Sequence, residues 1–264
     1  MPHVSSPETL VHIEPPLVVL TFNRPLARNA LTWAMYDALV DACDEVDRTD
    51  GVRAFVLCGA GGQAFAAGTD ISQFQHFRTS EDGVEYERRI GAVLDRLERV
   101  TKPTIAQIEG AAVGGGCAIA AACDLRVASP ESAFGIPIAR TLGNCVAGPI
   151  FSRLVDLVGP GHATEMLFTG RLVGATDALA IGLLNRIVPA ATLAGEVRRL
   201  ALDIAANAPL TVRAAKEMAR RLAARRRLTS EETRDLVDLC YGSADFQEGV
   251  SAFLARRPPR WIGR

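Results

Sequence analysis

Apolar and β-branched residues crowd Leu17–Phe22, and Asn-Arg-Pro closes the run, a pattern that predicts a strand and a turn. The rhythm then changes. Leu31, Met35, Leu39, Ala42 and Val46 recur at helical spacing. "VRAFVLCG" predicts a second strand, ended by the glycines of "GAGG". From Asp82 to Val100 charge dominates except for a stripe of Val93, Leu94, Leu97 and Val100, which predicts a helix with one wet face. "PTIAQIEG" and "DLRVASPESAFG" predict further short strands. Strands and helices alternate to about residue 190, which argues an α/β fold. Beyond it, from Leu193 to Leu254, helix follows helix, with Asn207–Pro209 as the main break.

Composition narrows the class. A chain of 264 residues that is 48% hydrophobic and 22% charged can bury a sizeable core. With 29 basic and 30 acidic residues, its balance favours neither a nucleic-acid nor an anionic-membrane partner. The local basic run Arg220–Arg227 reads first as a solvated helix face. Six cysteines without a CxxC pair suggest buried thiols in a reducing, cytoplasmic setting rather than a disulfide framework. The N-terminal "MPHVSSPETL" lacks a secretory pattern, no apolar run is long enough to span a bilayer, and no cluster has metal-ligand spacing.

Three places could carry chemistry. "GAGGQA", Gly59–Ala64, follows a strand and matches a dinucleotide fingerprint, which requires a helix to open on its glycines. A tight turn is the competing reading, because Gly68 and a Thr-Asp cap signal stand where that helix should run. Thr69-Asp70 before "ISQFQHF" predicts a helix start. "GGGCAIAAACD", from Gly114, predicts another. First-turn amides lack intrahelical partners and lie at the positive end of the dipole. Two such starts aimed at one oxygen would form an oxyanion hole.

The motifs "NRPLARNAL", "VRAFVLCGAGGQAFAAGTDI", "KPTIAQIEGAAVGGGCAIAAACDLRVAS", "AFGIP" and "LFTGRLVGATDALAIGLLNRIVP" occur in this order. With the closing "EGVSAFLARRPPRW", they make the chain resemble the enoyl-CoA hydratase/isomerase (crotonase) family from about Val18 to Trp261. The resemblance implies a spiral of strand-strand-helix units over residues 1–195 and a helical oligomerisation region over 196–264. It also implies a homotrimer or dimer of trimers and an acyl-CoA thioester as ligand. Coenzyme A then arrives as part of the substrate, with no separate cofactor. By motif match, the thioester carbonyl would accept from the amides of Thr69 and Gly115. Backbone around Ala67, Asp70 and Ile71 would contact adenine, and Gly114 would be a further substrate-binding residue. Arg28, and Phe253 with Arg256 or Arg257, are further candidates for phosphate and adenine contacts.

At the positions where the family's hydratases carry their two glutamates, this chain has Ala118 and Ile138, and a one-residue shift of the second match gives only Ala139. Neither side chain transfers a proton, so standard hydration is not expected. Decarboxylation of a malonyl-type thioester, isomerisation or related chemistry through an enolate is the leading expectation. A non-catalytic acyl-CoA binder is the second, and a nucleotide-dependent oxidoreductase through "GAGGQA" a remote third. If a base is needed, His76 is the candidate, since a helix from Thr69 would turn Gln73 and His76 to one face. Arg140 could hold a substrate carboxylate, and Asn144 falls beside it in the pocket segment. Cys145 and Glu109 read as a structural thiol and a turn residue. Asp124 reads as a structural hydrogen-bonding group.

Overall fold

A computed structural model describes residues 7–264. The reading of the N-terminal stretch as lacking a signal rests in part on residues 1–6, which lie outside the described residues. Strands β1 (Thr9–Glu14) and β2 (Leu17–Phe22) form an antiparallel hairpin. Helix α1 (Trp33–Arg48) follows, and the Thr32 side chain accepts from Met35 N–H at its start. Next come β3 (Ala54–Gly59), β4 (Ala64–Ala66) and α2 (Ser80–Glu98), then β5 (Thr104–Ile108), β6 (Ala111–Val113) and α3 (Gly115–Ala122). The unit of β7 (Leu125–Ala128), β8 (Ala133–Gly135), α4 (Ile138–Thr141) and α5 (Gly148–Thr169) repeats the order. Two short strands, β9 (Val173–Gly174) and β10 (Arg186–Ile187), flank α6 (Ala175–Ala180). The chain ends in α7 (Ala190–Ala205), α8 (Pro209–Ala224), α9 (Arg234–Tyr241) and α10 (Ala244–Leu254).

Successive strands feed two sheets in turn. One has the order β1-β2-β3-β5-β7-β10 and the other β4-β6-β8-β9. β3 then β4, β5 then β6, and β7 then β8 each step from the first sheet to the second before a helix, which is a strand-strand-helix spiral. Apart from β1 with β2 and β8 with β9, the pairings are parallel. The middle strands of the larger sheet are covered on both faces, so β3 reads as a continuous apolar run rather than an alternating one. α1, α2 and α3 contribute to the main core. On the opposite face, Leu193, Val197 and Ala201 of α7 pack on Leu17, Ala54, Val56, Ile105 and Val127.

A division at 195/196 therefore falls inside α7, which belongs to the sheet's covering layer. Asp124 has the structural role expected of it: its Oδ2 accepts from Thr104 N–H at 2.7 Å, Thr104 Oγ1 at 2.9 Å and Lys216 Nζ at 2.7 Å, tying α8 to β5. Among the described residues no helix is long and apolar enough to cross a membrane.

Candidate active site

The site grows from the loop after β2. Asn29 is fully buried in a left-handed conformation (φ 54°), and its Nδ2 donates to Ala60 O at 3.0 Å and Ala64 O at 2.7 Å. Its Oδ1 accepts from Arg24 N–H at 2.9 Å. One side chain thus clamps the turn into β4 against the 24–30 loop. Ala67 N–H donates to Arg28 O, Leu31 N–H to Gly68 O at 2.8 Å, and Asp70 N–H to Leu31 O at 2.9 Å. In this parallel bridge alternate peptides face opposite ways, so the Thr69 N–H points away from Leu31.

The second amide comes from the glycine run. Gly114 N–H donates to Gly135 O at 2.8 Å, and Gly114 (φ 54°, ψ −120°) turns the chain into α3. Gly115 is the first helical residue, so its N–H has no intrahelical acceptor. Among the described residues neither the Thr69 nor the Gly115 amide donates to a protein acceptor. The two turns touch. A Cβ on Gly115 would lie 3.3 Å from Thr69 Oγ1, and one on Gly114 would lie 3.4 Å from Gly68 Cα.

A cavity of about 620 Å³ opens over these amides. Of the residues singled out from sequence, Arg28, Ala67, Thr69, Asp70, Ile71, Gly114, Gly115, Asn144 and Phe253 line it, together with Arg256. Ile138 also lines it, whereas Ala118 is buried inside α3. His76, Gln73 and Arg140 do not line it. Residues 71–76 form a 3-10 helix rather than the α-helix expected, capped by Asp70, whose side chain accepts from Ser72 N–H. With about three residues per turn, Ile71, Phe74 and Phe77 share the inward stripe, and His76 is turned to solvent. Gln73 bonds to Leu31 O and Asp70 O instead of facing the cavity. Arg140 is exposed and outside the lining, its Cβ close to Gly170.

Among the described residues, Asp70 is the one carboxylate in the lining. Partial burial raises its pKa, but hydrogen bonds from Ser72 and Arg24 outweigh this and hold it below the usual range. It is tied up as an anion. "GAGGQA" leads into strand β4, with no helix on its glycines, and this removes the dinucleotide-binding reading.

Two networks escaped the sequence reading. Thr69 Oγ1 lies 2.9 Å from the Tyr36 hydroxyl and 2.7 Å from the Tyr86 hydroxyl. Behind Asn144, whose Nδ2 donates to the Tyr241 hydroxyl at 3.0 Å, that hydroxyl donates to Glu87 Oε1 at 2.7 Å. Ala147 N–H donates to Glu87 Oε2 at 3.0 Å. Burial pushes the Glu87 carboxyl up to about 7 against these bonds. Cys145 lies close by, and its hydrogen bond with Cys240, followed by burial, pushes its pKa up. A thiol so disposed is not an activated nucleophile. A tyrosine on the buried stripe of α1 was the available signal for the first network. Nothing local marked Glu87.

A model of the enoyl-CoA hydratase/isomerase family matches residues 12–264. The chain belongs to that family. This family member is 34% identical over 258 residues to a crotonyl-CoA hydratase of Syntrophomonas wolfei, covering 95% of this chain and 96% of the relative. It is also 34% identical to a short-chain-enoyl-CoA hydratase of Clostridium acetobutylicum, with 91% and 92% covered. Among solved structures, a methylmalonyl-CoA decarboxylase in complex with 2-nitronate-propionyl-CoA matches with a TM-score of 0.88 at 28% identity, covering 97% of this chain and 99% of that one. An enoyl-CoA hydratase/carnithine racemase from Magnetospirillum magneticum matches with a TM-score of 0.80 at 32% identity, each chain 97% covered or more. The crotonase-type α/β fold expected from the motifs is the fold found.

Proposed function

We propose that this family member acts on an acyl-CoA thioester whose carbonyl oxygen rests on the Thr69 and Gly115 amides, and that its reaction passes through the enolate formed there. Two unpaired donors from touching turns at the floor of one cavity carry this reading. Removing one such donor typically costs about 2.7–4 kcal/mol of transition-state stabilisation. The CoA moiety would run past Arg28 and Ala67–Ile71 towards Phe253 and Arg256, where the lining supplies cations for its phosphates.

The reaction we propose is not two-glutamate hydration. The resemblance puts the hydratase acids at residues 118 and 138, here Ala and Ile, and Asp70 is committed to Arg24 and Ser72. Loss of the CO2 of a malonyl-type thioester needs no carboxylate base, since the breaking C–C bond supplies the electron pair. The match to a methylmalonyl-CoA decarboxylase supports that choice, whereas the two relatives at 34% identity carry hydratase names. A second reading, an acyl-CoA binder without chemistry, is favoured by the positions of His76 and Arg140 outside the cavity. Six free thiols support a reducing, cytoplasmic setting.

Side-by-side assays with crotonyl-CoA and with malonyl-type thioesters separate these readings. We expect hydration at least about a hundredfold below that of a two-glutamate enzyme, together with CO2 release from the malonyl type. Vigorous hydration contradicts the reading of residues 118 and 138. Tight binding with no turnover of any thioester favours the binder.

A further inference from the structure

We propose that Tyr86 is the proton donor of this site, its hydroxyl aligned by Thr69 and Tyr36 and offered to the enolate in the cavity; the inference rests on the enolate reading above. Three hydroxyls, those of Tyr36, Thr69 and Tyr86, form a chain with two hydrogen bonds, at 2.9 and 2.7 Å. They carry three protons. Two are used within the chain, and the third can turn to the other tyrosine, whose hydroxyl is a near neighbour and closes the set into a ring, or to a ligand. Its position follows from burial. Tyr36 is 1% exposed and does not line the cavity, so a free O–H there would be stranded in the core at the full cost of desolvation. Tyr86 lines the cavity, where water or substrate can accept. With a ligand in the cavity the chain runs from Tyr36 to Thr69 to Tyr86, and the ligand takes the Tyr86 proton in place of Tyr36.

The surroundings hold this geometry. Phe74 meets the Tyr86 ring edge-on at 4.9 Å between centroids, and Trp33 meets it at 5.7 Å. The Tyr36 oxygen sits behind Gly115, 2.5 Å from where a Cβ would be, so the far end of the chain backs one oxyanion donor while its middle residue supplies the other. Burial keeps both phenols protonated at neutral pH.

The step balances. In a malonyl-type thioester the C–C bond to the carboxylate breaks and its electron pair enters the enolate, with the charge on the thioester oxygen. The Tyr86 O–H bond then breaks and a C–H bond forms at the α-carbon. Thr69, donating to the phenolate oxygen, stabilises it until water entering on product release restores the proton. The net change is one solvent proton taken up for each CO2 released.

Calorimetric titration of the full chain, Tyr86→Phe and Tyr36→Phe with an α-nitronate analogue of propionyl-CoA, and with propionyl-CoA itself, tests this. The nitronate is a planar anion resembling the enolate, whereas propionyl-CoA is neutral at the α-carbon. We expect the unaltered chain to prefer the nitronate. Tyr86→Phe should lose about tenfold or more of nitronate affinity, the scale of a hydrogen bond to an anion, with propionyl-CoA affinity within about twofold. Tyr36→Phe, which loosens the chain from outside the cavity, should lose less and for the nitronate alone. Undiminished nitronate affinity in Tyr86→Phe overturns the donor and leaves the enolate reading standing. Equal losses for both ligands mark a structural role and overturn it too. No nitronate preference in the unaltered chain overturns the enolate reading, and the donor with it.

Discussion

Gly114, Gly115 and Gly116 stand together in sequence but are demanded by three different neighbours. Gly114 takes a conformation other residues avoid, a Cβ on Gly115 would strike the Tyr36 hydroxyl, and one on Gly116 would lie 2.1 Å from Ala66 O. From sequence the run pointed to bare backbone beside a ligand, and in the fold Gly114 and Gly115 line the cavity. The packing reasons were not, because Tyr36 and Ala66 reach the glycines only through tertiary folding. Glu87 was invisible for the same cause: a carboxyl on a charged helix shows its burial only once Tyr241 and Ala147 are in position. Its pKa of about 7 has a consequence for stability. Between the ordinary carboxylate range and about 7, the folded chain holds a proton that the unfolded chain has lost. Stability therefore falls as pH rises through that window, by roughly 3 kcal/mol, and levels off above it. Denaturant unfolding at pH 5 and pH 8 measures this, and Glu87→Gln, a neutral mimic, should flatten the difference. An unchanged slope in Glu87→Gln would assign the pH dependence to other groups.

Elements were legible where period and length agreed. α1 and α2 follow their apolar stripes, and β3 its continuous run. The segment after Asp70 was not, since six residues fit both an α-helix and a 3-10 helix, and only packing of Phe74 and Phe77 beside Tyr86 and Phe246 selects the tighter one. That choice removed His76 from the site. α8 raises a different question. None of its residues is buried, and Leu210, Met218 and Leu222, with Ala214, form a stripe at four-residue spacing on its exposed side. We propose that this face is covered by further copies of the chain, as the oligomerisation region inferred from sequence requires. Light scattering should then give a mass of three or six chains, and Met218→Glu with Leu222→Glu should lower it. A monomer in the unaltered chain would contradict the proposal.

At the scale of the whole molecule, the alternation of strand and helix was readable, but the allocation of successive strands to two sheets was not. Register between sheets depends on contacts such as the Asn29 clamp, which join segments about 35 residues apart. This allocation is what sets the end of β4 against the start of α3 and so puts Thr69 beside Gly115. The spiral thus serves the site by bringing two chain reversals into contact, each with a spare N–H. The most direct test is isotope-edited infrared spectroscopy of an acyl-CoA labelled with 13C at the thioester carbonyl. Two amide donors withdraw electron density from the C=O bond, so the carbonyl band should move to lower frequency on binding. A bound thioester whose band stays at its position in water would contradict the account.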